Sequence, residues 1–256
     1  MTESPLKVWR EKDGKLLRLR LNKAKANIID AEMIACLDQA FSDLAAKPDA
    51  HAVLLDHDGP HFSFGASVEE HLPDQCAAML KALHSLINKM LFCPAPILVA
   101  VNGQCLGGGL EVALACNMMF VAPGASLGQP EIKLGVFAPA ASCLLPRLAG
   151  QQAGEDMLLS GRSISGEEAV RLRVALKADA DPEAAALDYF EEHLAGLSAS
   201  SLRFAMSAAR QRFASEVSAD LARVEALYLD GLMNGDDAPE GLKAFLEKRT
   251  PQWRHS

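Results

Sequence analysis

The chain lacks an excess of basic charge. Twenty-five Lys and Arg stand against 33 Asp and Glu, a formal net charge of −8. Phosphate neutralisation needs basic patches, so the balance argues against a nucleic-acid binder, though a few local Lys or Arg can still hold an anionic ligand. Long apolar runs are also missing. The cleanest, about Ala95 to Val101, falls far short of the ~20 residues a bilayer-spanning helix needs. Met1-Thr2-Glu3-Ser4-Pro5 has neither the basic nor the apolar region of a secretory signal, and Arg254-His255-Ser256 is not an S-K-L address. None of the six cysteines forms a C-x-x-C pair, and no His stands at a zinc-like spacing from them. The expectation is a cytoplasmic protein with reduced, mostly buried thiols, no metal and no membrane contact.

At 256 residues, half of them hydrophobic, the chain can bury a large core. Leu6–Arg10 and Leu16–Leu21 alternate apolar and polar residues around Lys12-Asp13-Gly14-Lys15, which predicts a β-hairpin. Asp30 can cap a helix from Ala31 to about Ala46, Ala52–Leu55 reads as a short buried strand, and a helix is expected from about Asp74 to Leu91. Ile97–Val101 reads as a strand, then come three glycines and a helix from about Gly109 to Cys116, and Met118–Val121 reads as another strand. Strands alternating with helices give an α/β class. After about residue 145 the chain turns mainly helical: Gly150–Leu159, a helix opened by the capping box at Ser165–Glu168, then Pro182–Leu194, Ser198–Phe213 and Ser218–Met233. In the last of these Leu221, Val224, Tyr228 and Leu232 recur at helical spacing and read as packing residues.

Two glutamates beside glycine signatures carry the chemistry. Glu111 ends Gly103-Gln104-Cys105-Leu106-Gly107-Gly108-Gly109-Leu110-Glu111, and Glu131 ends Gly128-Gln129-Pro130-Glu131. Adjacent glycines between a strand and a helix let backbone approach a ligand closely. The first N–H groups of a helix have no internal partner and sit at the positive end of its dipole, where an oxygen gaining negative charge can be held. Two carboxylates facing one water can share its protons, one accepting while the other donates. Taken singly, Glu111 reads as a dipole-complementing residue and Glu131 as a surface or capping carboxylate. Phe64-Gly65-Ala66-Ser67 offers a second backbone donor at Ala66, although a loop glycine alone signals only a turn. His71 and His84 show no obvious partner, and Cys143 has no neighbour that would activate it.

At these residues the chain resembles the crotonase (enoyl-CoA hydratase/isomerase) superfamily, over nearly its whole length. Val101-Asn102-Gly103 through Glu111 is similar to the family's V-N-G-x-A/C-x-G-G-G-x-E segment, Gly128–Glu131 to its G-x-P-E, and Phe64-Gly65-Ala66-Ser67-Val68 to its A-G-A-D segment. Lys23-Ala24-Lys25-Ala26-Asn27-Ile28-Ile29 resembles the loop that touches the CoA moiety, and Glu240–Arg249 resembles the C-terminal E-G-x-x-A-F-x-x-K-R. The resemblance implies a spiral of β-β-α units over residues 1–195 and a helical oligomerisation region over 196–256, assembled as a trimer or a dimer of trimers. It implies that Ala66 and Gly108 donate N–H groups to a thioester oxygen and that Glu111 and Glu131 hold a water. Lys25, Ala26, Ile28, Phe64, Ser67, Val68 and Gly107 would contact substrate or CoA, as would Phe137, Ala138, Phe245 and Lys248, with Phe245 and Lys248 often reaching a neighbouring subunit's nucleotide. Coenzyme A would arrive as part of the substrate, with no separate cofactor.

Retention of both carboxylates points to hydration, because family isomerases, dehalogenases and decarboxylases often lose or relocate one. The family's F-P-G-A-G-G-T-Q-R-L stretch has become Phe137-Ala138-Pro139-Ala140-Ala141-Ser142-Cys143-Leu144-Leu145, a wall of small apolar residues suited to a compact ring-shaped acyl group. Together with Lys25–Asp30, His61–Val68 and Gly103–Leu106, this resembles the members that hydrate a cyclic dienoyl-CoA in anaerobic benzoyl-CoA degradation. The alternatives are a hydratase of open-chain enoyl-CoA, a thioester hydrolase or ring-opening enzyme, and a non-catalytic binding protein on the same scaffold.

Overall fold

A computed structural model describes residues 4–23 and 25–256. Met1, Thr2 and Glu3 of the start, and Ala24 of the expected CoA-contacting loop, lie outside the described residues. The chain opens with β1 (Leu6–Glu11) and β2 (Leu16–Leu21), an antiparallel hairpin in register from Leu6↔Leu21 to Glu11↔Leu16. α1 (Ala31–Ala46) starts where expected, with Asp30 accepting the Met33 N–H at 3.1 Å. There follow β3 (Ala52–His57), α2 (Cys76–Leu91), β4 (Ile97–Val101), β5 (Gln104–Leu106), α3 (Gly107–Ala115), β6 (Met118–Val121) and β7 (Ser126–Gly128). α4 (Pro139–Ala149), α5 (Gln151–Ser160), β8 (Ser163–Ser165), α6 (Gly166–Arg171) and β9 (Lys177–Ala178) lead to the helices α7 (Pro182–His193), α8 (Ala199–Ala226) and α9 (Asp237–Leu246).

Six strands form one sheet in the order β1-β2-β3-β4-β6-β9, parallel from β2 onward, and β5-β7-β8 form a second, smaller sheet. Side chains alternate across the large sheet, as a period of two requires. Leu17, Leu19, Val53, Leu55, Ile97 and Val99 face the main core, where they meet α1 and α2 residues such as Met33, Leu37, Leu83 and Ile87. Leu16, Leu54, Leu98 and Phe120 face the other way, onto Ala186 and Phe190 of α7. On that second face Arg18 and Asp56, each 2% exposed, pair between β2 and β3. Arg20 adds a 2.7 Å bond to Asp56, and Glu183 of α7 joins both arginines at 2.6 and 2.7 Å. The charges therefore neutralise one another where neither water nor an apolar wall would hold them.

The expected Ser198–Phe213 and Ser218–Met233 helices are one continuous α8, succeeded by a π-helical turn over Leu227–Gly231. No Gly or Pro separates the two halves, and Ala214, Val217 and Leu221 stay on the buried face, so the helix runs through Ser218 instead of restarting there. Ser165 accepts the Glu168 N–H at 3.1 Å, as the capping motif requires. All six cysteines are free, and all but Cys36 are buried. Among the described residues no helix is long and apolar enough to cross a membrane.

Candidate active site

The site forms where three stretches of chain are stitched together. On one side the segment after β3 runs beside β5: Ser63 donates to Gln104 O at 3.0 Å, and Leu106 donates back to Ser63 O at 3.0 Å. On its other side Phe64 donates to Ala26 O and Ile29 to Gly65 O, both at 2.9 Å. These bonds hold Gly65, at φ +108, and place Ala66 against the start of α3. Neither the Ala66 N–H nor the Gly108 N–H takes a hydrogen-bond acceptor among the described residues. Two backbone donors are thus presented at a helix N-terminus.

Each glycine of the triplet makes room for a different neighbour. A Cβ on Gly108 would lie 3.1 Å from the Ala66 Cβ and 3.3 Å from its nitrogen, and one on Gly109 would lie 2.4 Å from the Ser63 Cβ. A Cβ on Gly107, whose φ is +49, would lie 2.4 Å from Glu131 Oε1. The triplet therefore brings the Ala66 donor, the Gly108 donor and the Glu131 carboxylate to one place.

Glu131 sits in a 3₁₀ turn, Pro130–Leu134, that leaves β7. Gln129 beside it is buried, and with its amide nitrogen turned toward Glu131 it donates to Oε2 at 3.0 Å and Oε1 at 3.2 Å. Glu111 projects from α3, which is buried all round, and is 3% exposed. Its Oε1 accepts the Ala141 N–H at 2.9 Å, from the first turn of α4. The Phe137–Ala141 stretch thus acts through its backbone, which caps one of the two carboxylates. Burial pushes the Glu111 carboxyl upward, against the opposing pull of the Ala141 N–H. Burial, and then the charge of Glu111, lift Glu131 to about 8. Burial and the charge of Glu111 thus keep Glu131 protonated at neutral pH, as a group able to donate a proton.

A cavity of about 420 Å³ opens beside Glu131. Of the expected contacts, Phe64, Ala66, Val68, Gly107 and Phe245 line it. His71, Lys133, Leu134 and Leu242 also line it, without having been expected to. His71 is not partnerless: its Nδ1 lies 2.7 Å from Ser67 O, and His84 Nδ1 lies 2.6 Å from Glu225. The Ser67 hydroxyl turns to Glu69 at 3.0 Å instead of into the cavity. Ala26 serves as the backbone acceptor for Phe64, and Ile28 is partly buried in the same segment. Lys25 and Lys248 are exposed, both at positive φ, and lie outside the cavity wall. Phe137 and Ala138 lie outside it as well, at the start of α4. Phe245 reaches the cavity of its own chain, because α9 packs on the turn that carries Glu131: a Cβ on Gly241 would lie 2.1 Å from Leu134 O. Of the residues the sequence reading left without a role, Gln129 was legible only as a motif filler, and the Ala141 N–H carries no side-chain signal at all.

Two backbone donors at a glycine-rich helix start thus stand beside the Glu131 carboxylate, and the whole chain matches a known family. The enoyl-CoA hydratase/isomerase family model matches residues 11–256, and the chain belongs to that family. It is 62% identical, over 98% of both chains, to a cyclohexa-1,5-dienecarbonyl-CoA hydratase from Thauera aromatica. It is 33% identical, over 93% of both, to a probable enoyl-CoA hydratase from Mycobacterium leprae. The solved enoyl-CoA hydratase/isomerase from Pseudoalteromonas atlantica superposes with a TM-score of 0.83 at 27% identity, covering 97% of this chain and 99% of that one.

Proposed function

We propose that the chain is a hydro-lyase adding water to a cyclic conjugated acyl-CoA, converting cyclohexa-1,5-diene-1-carbonyl-CoA to 6-hydroxycyclohex-1-ene-1-carbonyl-CoA in anaerobic benzoyl-CoA degradation. The observation that carries the reading is the meeting of Glu131 with the Gly107–Gly108 helix start, with the charge of Glu111 felt at Glu131. The 62% identity to a hydratase of that substrate class supports the choice of acyl group.

In this reading the thioester oxygen accepts from the Ala66 and Gly108 N–H groups, which bind it more strongly as negative charge develops there. One carboxylate takes a proton from the water as its oxygen bonds to the conjugated ring carbon. The other, protonated because burial and like charge raise it, supplies the proton that a ring carbon takes up. Atoms balance: the diene gains one hydroxyl and one hydrogen, and the carboxylate pair ends with the same single proton. The cavity beside Glu131 takes the pantetheine arm, with Phe64, Leu242 and Phe245 as its apolar sides.

Residues 196–256 serve as the oligomerisation region of a trimer or dimer of trimers. Phe204, 71% exposed on α8, and Leu227, 61% exposed just after it, support that role. The enzyme acts in the cytoplasm and needs no cofactor beyond the CoA of its substrate. The test is product analysis by mass spectrometry after incubation with the cyclic dienoyl-CoA and, separately, crotonyl-CoA. Hydrated ring product formed faster than hydrated crotonyl-CoA supports the reading. Faster crotonyl-CoA turnover favours an open-chain hydratase, and free CoA or a ring-opened acid favours the hydrolase alternative.

A further inference from the structure

Two buried polar atoms, the Tyr228 hydroxyl in the turn after α8 and His84 Nε2 on α2, have no partner among the described residues. Tyr228 is 0% exposed and His84 4% exposed. An unsatisfied buried hydroxyl is costly, so one that is retained calls for a partner from outside the chain. The Tyr228 ring stands edge-on to Phe137 at 5.2 Å, and Phe137 immediately precedes the α4 start whose Ala141 N–H holds Glu111. Tyr228 lies in the π-helical turn Leu227–Gly231, a distortion that tends to mark functional positions. Three residues earlier, Glu225 on α8 meets His84 Nδ1 at 2.6 Å. A carboxylate on Nδ1 selects the tautomer with the proton there, which leaves Nε2 as a bare acceptor. Burial, followed by the charges of Cys76, Glu131 and Glu111, keeps the Tyr228 hydroxyl protonated.

The Tyr228 hydroxyl is thus an unpartnered donor packed against the stretch that holds Glu111, and His84 Nε2 an unpartnered acceptor. A hydroxyl group is their complement, with an oxygen to accept and a hydrogen to donate. Hydration of an apolar ring creates one such group, from the water that the glutamates hold. We propose that Tyr228 is a specificity-determining residue whose O–H donates to the hydroxyl placed on the ring, so that the pocket recognises a hydroxylated cyclic acyl-CoA by more than its shape. The inference rests on the cyclic-substrate reading. Tyr228 sets which acyl group is held, while the glutamates set whether water is added.

The experiment is isothermal titration of wild type and Tyr228→Phe with 6-hydroxycyclohex-1-ene-1-carbonyl-CoA and with cyclohex-1-ene-1-carbonyl-CoA, which lacks only the hydroxyl. Phenylalanine keeps the ring against Phe137, and thermal denaturation checks that the fold is unchanged. The expected result is affinity about tenfold weaker for the hydroxylated thioester and altered less than twofold for the other, the loss of one neutral hydrogen bond. Equal weakening of both, or of neither, overturns the inference while wild-type hydration of the cyclic diene keeps the functional reading standing. Wild type that binds neither ring thioester and hydrates only open-chain enoyl-CoA overturns both.

Discussion

Gly107 and Glu131 occupy adjoining space: a Cβ on the glycine would stand 2.4 Å from the Glu131 Oε1. The glycine at the helix start is therefore required by the carboxylate as well as by its own positive φ of 49°. Gly107→Ala should push Glu131 out of line and strain the backbone, since a left-handed conformation costs an L-residue roughly 1–2 kcal/mol. Hydration kcat/KM should fall at least tenfold with a melting temperature only a few degrees lower. Activity equal to wild type would show that Glu131 does not depend on this gap.

The pH profile follows from the same pair. Burial and the charge of Glu111 hold Glu131 protonated until about pH 8. Hydration kcat/KM should therefore decline as pH rises through about 8, where the pair loses its shared proton. In Glu111→Gln the neighbouring negative charge is gone, so the residual activity should decline at lower pH. The sign for stability is also set. Between its unfolded value near 4.5 and about 8, this carboxyl binds more proton folded than unfolded, so its contribution to stability falls as pH rises across that window. Glu131→Gln should gain melting temperature relative to wild type at pH 8 compared with pH 5. Titrations of rate and of melting temperature against pH check both statements.

Away from the site, Asp56 is the central anion of a buried cluster, pairing Arg18 and Arg20. Asp56→Ala leaves the 2%-exposed Arg18 with the partly exposed Glu11 and Glu183 as its carboxylate partners among the described residues. The expected loss is about 3–5 kcal/mol, the usual result of removing one member of a buried ion pair. Urea denaturation measures it, and a loss under 1 kcal/mol would mean that the glutamates suffice.

Much of this was legible in the sequence, for reasons that differ by element. The hairpin and α1 follow from alternation around Lys12–Lys15 and from the cap at Asp30, which act locally. The triplet glycines and both glutamates stood out because close backbone approach leaves a residue-type signature at Gly107, Gly108 and Gly109. The small sheet was not foreseen, since β5, β7 and β8 are each three residues long and find their partners only through tertiary contact. The two helices expected over Ser198–Phe213 and Ser218–Met233 join into one α8, because no Gly or Pro parts them and Ala214, Val217 and Leu221 carry the buried face through. The Ala141 N–H and the partners of His84 were invisible: a backbone donor has no residue type, and Glu225 lies far along the chain.

The most direct measurement is a double-mutant cycle on hydration of the cyclic dienoyl-CoA, using Glu111→Gln, Glu131→Gln and the double variant. If the two carboxylates act on one water, each single change should lower kcat by roughly 10²-fold or more, and the double variant should lie within a few-fold of the worse single. Losses that multiply, or a single variant with wild-type kcat, would contradict a shared water and with it the two-carboxylate site.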